Sequence, residues 1–214
     1  MNNIKLRPIV SGDQVTLEHI AREAFWNLYQ QGCDEHYLVH LLKDSPDLLP
    51  QYNLIAELDG QPVGYILYTR SWVQDDSGAR HDMLTFGPLC VLPAHQRRGI
   101  GRQLVQQSAQ LARDRGEKAI IIFGNPSNYV PYGFLSTRDF EIRTQQGTYP
   151  MSMLVLPLYD GALDGISGVH HDAEVFETYD PAPAEAYDQA FPPKEKRKTW
   201  TQVEFSINSR AIIP

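Results

Sequence analysis

Apolar residues recur along this chain with two spacings, one typical of strands and the other typical of helices. The strand-like segments alternate apolar and polar residues or form short apolar runs, whereas the helical segments repeat apolar residues three or four positions apart. The pair Asp59-Gly60 separates two strand-like runs and predicts a β-hairpin. Strands are predicted over residues 4–7, 53–58, 63–69, 82–91, 119–123, 138–144 and 151–156, and helices over residues 15–29, 34–43 and 101–115. This order of elements predicts an α/β or α+β fold.

A glycine–proline pair, Gly87-Pro88, interrupts the strand predicted over residues 82–91. Because proline has no N–H for the ladder and glycine weakens a strand, the pair predicts a bulge at which this strand splays away from its neighbour. Splaying leaves backbone N–H and C=O groups unpaired at Leu89, Cys90 and Val91. These groups are predicted to bind a ligand that carries amides of its own.

The loop after this strand holds two glycines, Gly99 and Gly101, at the start of the next predicted helix. The first turn of a helix presents free N–H groups at the positive end of the helix dipole, which favours a bound anion. Glycine has no Cβ to keep an anion away from the backbone, and Arg97, Arg98 and Arg102 add positive charge. We therefore predict that this loop binds a pyrophosphate.

The loop sequence excludes two known phosphate-binding motifs. A Rossmann turn requires a small residue where this chain has Leu104, and a P-loop requires a Gly-Lys pair, which the chain lacks. Residues 96–101, Gln-Arg-Arg-Gly-Ile-Gly, instead resemble the Gln/Arg-x-x-Gly-x-Gly/Ala signature of the GNAT superfamily of N-acetyltransferases. In that family the loop amides hold the pyrophosphate of acetyl-coenzyme A.

A second stretch is similar to another hallmark of the family, an Asn followed by Tyr-x-x-x-Gly-Phe. It runs here from Asn125 through Tyr129 to Gly133 and Phe134. Two prolines within it depart from the commoner, fully helical version, which leaves the direction of the Tyr129 ring open. The phenol of Tyr129 suits the task of stabilising the thiolate that leaves coenzyme A.

The resemblance implies the GNAT fold, in which a mixed central sheet with flanking helices has a bulged and splayed fourth strand. It also implies that the pantetheine of acetyl-coenzyme A, or of coenzyme A, lies along this strand like an additional strand, and that Tyr129 is the catalytic residue. The cofactor-binding residues implied by the two motifs and the splayed strand are Leu89, Cys90, Val91, Gln96, Arg97, Arg98, Gly99, Ile100, Gly101, Arg102, Asn125 and Tyr129.

These features predict an acetyl-coenzyme A-dependent N-acetyltransferase in which a primary amine attacks the bound thioester directly, in a ternary complex. The alternative is a module that binds coenzyme A or acyl-coenzyme A as a sensor without turnover, because the loop residues serve either role. The acceptor, a small-molecule or peptide amine, is left open. The general base is also left open, with Glu23, Glu57, His81 and Asp82 as candidates.

Aromatic residues on the first two predicted helices have two interpretations. Phe25, Trp26, Tyr29 and Tyr37 either line the acceptor site, as the resemblance implies for this pair of helices, or pack the helices on the sheet. Packing is the commoner role for each residue taken singly.

Composition narrows the range of partners. The formal net charge of −7 argues against general binding to nucleic acid or to anionic membranes. No apolar run approaches the ~18 residues that span a bilayer, and two cysteines imply no disulfide framework, so a cytoplasmic protein is expected. His36 and His40 lie one helical turn apart, but no third ligand accompanies them and no metal is predicted. A homodimer is left open.

The resemblance covers about residues 4–158, and the pattern loosens beyond that point. We therefore predict an N-acetyltransferase domain over residues 1–158 and an extension over residues 159–214. The extension has too few apolar residues for a core of its own, so it should pack on the main domain. Within it, residues 184–190 predict a short helix, and the alternation of Val203, Phe205 and Ile207 predicts a strand.

Overall fold

A mixed β-sheet organises the structure, a computed structural model that describes residues 4–214. In this part of the chain the strands are β1 (Ile4–Pro8), β2 (Leu54–Leu58), β3 (Gln61–Gln74), β4 (Arg80–Val91), β5 (Ala119–Phe123), β6 (Leu135–Ser136), β7 (Ile142–Arg143), β8 (Met153–Pro157) and β9 (Gly168–His171). The main path through the sheet is β1-β2-β3-β4-β5-β8-β6, antiparallel except for the parallel pair β4–β5. The mixed α/β fold predicted above is confirmed.

Helices cover both faces of this sheet. They are α1 (Gln14–Phe25), α2 (Glu35–Leu42), α3 (Ile100–Asp114), α4 (Pro126–Tyr129), α5 (Glu174–Glu177), α6 (Ala184–Asp188) and α7 (Trp200–Asn208). The two-residue period of β2 divides its side chains between the faces, so that Leu54 packs with α3 on one face while Ile55 packs with α1 and α2 on the other. Buried apolar residues on both faces give the sheet a core on each side.

The bulge predicted in β4 is present at the predicted place. Ile66 of β3 pairs with Leu89 and Tyr68 pairs with Phe86, so Leu67 alone stands opposite Gly87 and Pro88. On its other side β4 pairs with β5 only at Leu84 and Ile120 in the described chain. The two strands therefore separate beyond this pair, which opens a cleft between their carboxyl ends.

The first helix ends earlier than its apolar pattern predicts. Helix α1 stops at Phe25 because Asn27 takes a left-handed conformation, with a φ of 61°. The Asn27 N–H donates to the Gly32 carbonyl at 2.8 Å, and the Gly32 N–H donates to Asn27 Oδ1 at 2.9 Å. These bonds close a compact α1–α2 loop (residues 26–34), which holds Leu28 and Tyr29 at the mouth of the opening between β4 and β5.

Two predicted strands are wrong. Residues 137–140 form a 3₁₀ turn because Ser136 Oγ accepts the Arg138 N–H at 3.2 Å, and only β7 remains of the strand predicted over residues 138–144. The stretch through Val203 and Ile207 is helix α7. These two residues are four apart as well as two steps of an alternation, so a short stretch fits either period.

The C-terminal segment (residues 159–214) packs along α1 and the α1–α2 loop. The buried Arg22 guanidinium donates to both carboxylate oxygens of Asp188, at 2.5 Å and 3.2 Å. Trp26 Nε1 and Asn27 Nδ2 each donate to the Glu195 carbonyl at 2.9 Å. Strand β9 joins the main sheet beside β3, so the chain after residue 158 adds to the same sheet. The division into a domain over 1–158 and an extension over 159–214 stays a prediction.

Candidate active site

A cleft of about 400 Å³ opens where β4 and β5 separate. Its walls come from the end of β4, the loop that follows, the first turn of α3, the short helix α4 and the α1–α2 loop. Among the predicted cofactor-binding residues, those that line it are Leu89, Val91, Gln96, Arg97, Gly99, Ile100, Gly101, Arg102 and Tyr129. The structure thus brings the splayed strand, the glycine loop and the tyrosine motif to one place.

The glycine loop turns the chain sharply into α3. Arg97 and Gly99 both have left-handed backbones, with φ values of 59° and 82°, and α3 begins directly afterwards at Ile100. A Cβ added at Gly99 would meet nothing within 4 Å, so the backbone conformation, rather than steric crowding, requires glycine there. The N–H groups of the first helical turn, Ile100 to Arg102, have no acceptor within the helix and point out of its end.

Positive charge around this loop is not neutralised by the protein. In the described chain no carboxylate lies within 4.0 Å of Arg97, Arg98 or Arg102, whereas five other arginines form ion pairs. Gln96 Nε2 donates to the Val91 carbonyl at 3.0 Å, which braces the loop against the end of β4. In a chain of net charge −7 this local excess of positive charge favours an anionic ligand.

Tyr129 lies on α4 with its ring at the cleft wall. The ring packs against Phe86 and Phe134, with centroid distances of 5.8 Å and 5.6 Å. A Cβ on Gly124 would overlap the edge of the Tyr129 ring, so the absence of a side chain at Gly124 makes room for it. Burial raises the pKa of the Tyr129 phenol, which therefore keeps its proton at neutral pH and is available as a hydrogen-bond donor.

Comparison with known proteins identifies the family of this chain. The family model described as "Acetyltransferase (GNAT) family" matches residues 17–135, more than half of the chain. The chain belongs to the GNAT acetyltransferase family. The match covers most of α1, all of α2 and α3, the glycine loop and the whole Tyr129 motif.

Two curated relatives of this GNAT protein come from Escherichia coli K12. The uncharacterized N-acetyltransferase YhbS is 28% identical over 146 residues, which are 68% of this chain and 84% of YhbS. The uncharacterized N-acetyltransferase YjhQ is 30% identical over 99 residues, which are 45% of this chain and 53% of YjhQ. Neither name specifies an acceptor.

Two solved structures share the GNAT fold over most of the chain. The E. coli YhbS structure in complex with CoA has a TM-score of 0.73 at 24% identity and covers 84% of this chain and 95% of its own. A GNAT acetyltransferase from Brucella melitensis in complex with acetyl-CoA has a TM-score of 0.65 at 24% identity, over 82% and 99% of the two chains.

Three predicted cofactor-binding residues of this GNAT protein lie outside the cleft wall. Cys90 is buried on the opposite face of β4, where it packs with Tyr65, and burial raises the pKa of its thiol. Arg98 is exposed on the loop beside the cleft. Asn125 Oδ1 accepts the N–H of Ser127 at 3.1 Å, so this side chain caps α4 and borders a neighbouring cavity.

The candidate bases named from the sequence are all paired elsewhere and none lines the cleft. Each has an oppositely charged or hydrogen-bonding partner at 2.6 to 2.9 Å: Lys194 for Glu23, Arg7 for Glu57, Asp75 for His81 and Arg80 for Asp82. Sequence reasoning missed His95, which lines the cleft with its Nδ1 buried and without a partner in the described chain. Its position directly before Gln96 of the loop motif was the available signal.

The four aromatic candidates have different surroundings, and their part in an acceptor site stays a prediction. Phe25 and Tyr29 line the cleft, with ring centroids 5.6 Å apart. Trp26 instead binds the C-terminal segment, and Tyr37 packs against Tyr187 with centroids 5.4 Å apart. Of the helices in residues 4–214, none has both the length and the apolar composition needed to cross a bilayer.

Proposed function

We propose that this GNAT protein transfers the acetyl group of acetyl-coenzyme A to a primary amine, by direct attack of the amine within a ternary complex. The observation that carries the proposal is the single cleft in which an uncompensated cationic loop, a splayed strand and the Tyr129 ring meet. The CoA and acetyl-CoA complexes of the two structural neighbours support the same cofactor here.

The cofactor would lie along the cleft with its pyrophosphate at the glycine loop. The first-turn N–H groups from Ile100 to Arg102 would donate to the pyrophosphate oxygens, and Arg97 and Arg102 would balance their charge. The pantetheine amides would pair with the backbone of Leu89–Val91, which has no strand partner on the β5 side among residues 4–214. The thioester would then lie between the separated strands, beside Tyr129.

The reaction exchanges one bond to the acetyl carbon for another. The amine nitrogen, once it has lost a proton, forms a bond to the thioester carbonyl carbon. The C–S bond then breaks, the nitrogen gives up a second proton as the amide forms, and coenzyme A leaves as a thiolate that takes up a proton from solvent. The Tyr129 hydroxyl would donate a hydrogen bond to this sulfur, and the backbone N–H of Leu89, a residue that lines the cleft, would stabilise the negative charge that develops on the carbonyl oxygen.

The decisive experiment replaces Tyr129 by Phe. The substitution keeps the ring between Phe86 and Phe134 and removes only the hydroxyl, so the Kd for acetyl-coenzyme A should not change. Because the hydrogen bond to the thiolate forms mainly in the transition state, kcat should fall about 10²- to 10⁴-fold. A screen of primary amines first identifies an acceptor. Release of free thiol with that acceptor then gives kcat, and calorimetry gives the Kd. Tyr159→Phe, an exposed tyrosine outside the cleft, is the matched control.

Two other outcomes have clear meanings. An unchanged kcat in Tyr129→Phe, under conditions in which acetyl transfer is rate-limiting, would remove Tyr129 from the chemistry. Binding of coenzyme A without thiol release for any amine would instead support the sensor that binds the cofactor without turnover.

A further inference from the structure

A second cavity, of about 410 Å³, adjoins the cleft. The two share Leu28, Tyr29 and Asn128 as lining residues, and Asn128 directly precedes Tyr129 in the chain. The second cavity therefore begins where the proposed reaction takes place. Its far wall is helix α7 of the C-terminal segment, a helix that the sequence analysis predicted as a strand and to which it assigned no function.

Hydrogen bonds to the main domain hold this wall in place at both ends of α7. Before and within the first turn of α7, Thr199 Oγ1 donates to the Asn27 carbonyl at 2.9 Å and Thr201 Oγ1 donates to the Leu28 carbonyl at 2.8 Å. After the helix, the Met151 N–H donates to the Ala211 carbonyl at 2.8 Å. Since both ends are hydrogen-bonded to the domain, the cavity is formed before any ligand arrives.

The lining of the second cavity is largely carbon. Phe205 packs against Tyr29 with tilted rings whose centroids lie 4.5 Å apart, and Phe123 at the end of β5 is half exposed into the same space. Small polar groups complete the wall, among them Ser152 and Asn208. A cavity of this size and lining suits a small ligand with an apolar body.

The lining of the second cavity carries a negative charge. Glu204 is the only charged residue among those that line it within the described part of the chain. The two lysines of the preceding segment that form ion pairs do so with other carboxylates, Lys194 with Glu23 and Lys196 with Glu185. A carboxylate that has no ion-pair partner among the described residues and lies beside aromatic rings attracts a cation that carries apolar groups.

We propose that helix α7 forms the acceptor site and selects a primary amine attached to an apolar, aromatic-sized body, with Glu204 binding the ammonium group and Phe205 and Phe123 contacting the body. This inference rests on the acetyl transfer proposed above. It assigns acceptor choice to the C-terminal segment, which the glycine loop and the Tyr129 motif do not include.

The test compares 2-phenylethylamine with ethylamine as acceptors. Burying a phenyl group in the cavity should raise kcat/KM for 2-phenylethylamine over that for ethylamine by about 10- to 100-fold in the wild type. Glu204→Gln should raise the KM for 2-phenylethylamine about 10-fold and leave the KM for acetyl-coenzyme A unchanged. Glu174→Gln, another exposed glutamate outside the cavity, is the control.

A second pair of variants tests the apolar contact on one helix. Phe205→Ala should reduce the preference for 2-phenylethylamine about 10-fold. Val203→Ala, on the outer face of α7 with 62% of the side chain exposed, should preserve it. All four substituted side chains are exposed, so the fold should persist in each variant.

The results separate the two proposals. Thiol release with equal preference for the two amines, or a KM for 2-phenylethylamine that Glu204→Gln does not alter, would overturn the acceptor site while leaving acetyl transfer intact. If no amine releases thiol, the proposal of acetyl transfer fails. Calorimetry with 2-phenylethylamine in the presence of coenzyme A then tests whether the cavity binds the amine. Binding that weakens in Glu204→Gln would then support the amine site, and the absence of binding would overturn it.

Discussion

Gly124→Ala should displace the Tyr129 ring, which supplies the three atoms nearest to a Cβ at this position. A Cβ at Gly124 would lie 2.9 Å from Tyr129 Cδ2 and closer still to Cε2, and ordinary carbon contacts begin near 3.4 Å. Phe86 and Phe134 pack against the same ring, so the ring has to move toward the open cleft by roughly 1 Å to relieve the overlap. A misplacement of about 1 Å typically costs on the order of 10²-fold in rate.

The assay for this prediction is a double-mutant cycle on kcat, measured by thiol release. Gly124→Ala alone should lower kcat on the order of 10²-fold, whereas in a Tyr129→Phe background it should have little further effect, because the hydroxyl it displaces is already absent. Gly12→Ala is the control, since a Cβ there meets nothing within 4 Å and the residue lies outside the cleft.

Two results would refute this reasoning. If the effects of Gly124→Ala and Tyr129→Phe multiply in the double variant, Gly124 acts independently of the hydroxyl. If Gly124→Ala retains the wild-type kcat while transfer is rate-limiting, the position of the ring does not control the reaction.

Two further predictions concern the cofactor loop and the pH dependence of stability. Gly99→Glu should weaken coenzyme A binding, measured by calorimetry, on the order of 10³-fold through charge repulsion. Gly116, an equally open left-handed glycine at the far end of α3, provides the control, because Gly116→Glu should bind coenzyme A normally. Equal affinities of the two variants would reject the pyrophosphate site. Burial raises the pKa of Asp172 to about 6, so the folded state holds this proton more tightly than the unfolded state and loses on the order of 2 kcal/mol as pH rises from about 4 to above 6. Asp172→Asn should therefore melt at a higher temperature than wild type at pH 7.5 but not at pH 4, and an equal difference at both pH values would contradict this.

Local rules predicted the elements that form the proposed cofactor site. The Asp59-Gly60 turn, strand β5 and the bulge at Gly87-Pro88 follow from the conformational limits of glycine and proline and from apolar runs within a few residues. The glycine loop was predicted because a Cβ would keep an anion from the backbone. The left-handed backbone of Gly99 adds a second reason for glycine at this position.

Three elements after residue 136 were beyond local rules. Helix α7 was predicted as a strand because five residues fit both periods, and strand β9 was missed because it exists only where the end of β3 offers a free edge. The 3₁₀ turn over Thr137–Phe140 replaced a predicted strand once Ser136 capped it. In short segments the tertiary partner, rather than propensity, decides the conformation.

The sequence alone determined the half of the candidate site that is proposed to bind the cofactor, because the glycine loop, the bulged strand and the tyrosine motif each carry their geometry within a few consecutive residues. Only the tertiary structure decided the other half. Asn27 and Thr199 lie more than 170 positions apart, yet their hydrogen bond helps to join the α1–α2 loop to α7 and so to form the cavity that holds Glu204. No local pattern encodes a contact between residues so distant, since it forms only when the sheet brings both segments to the same edge of the cleft.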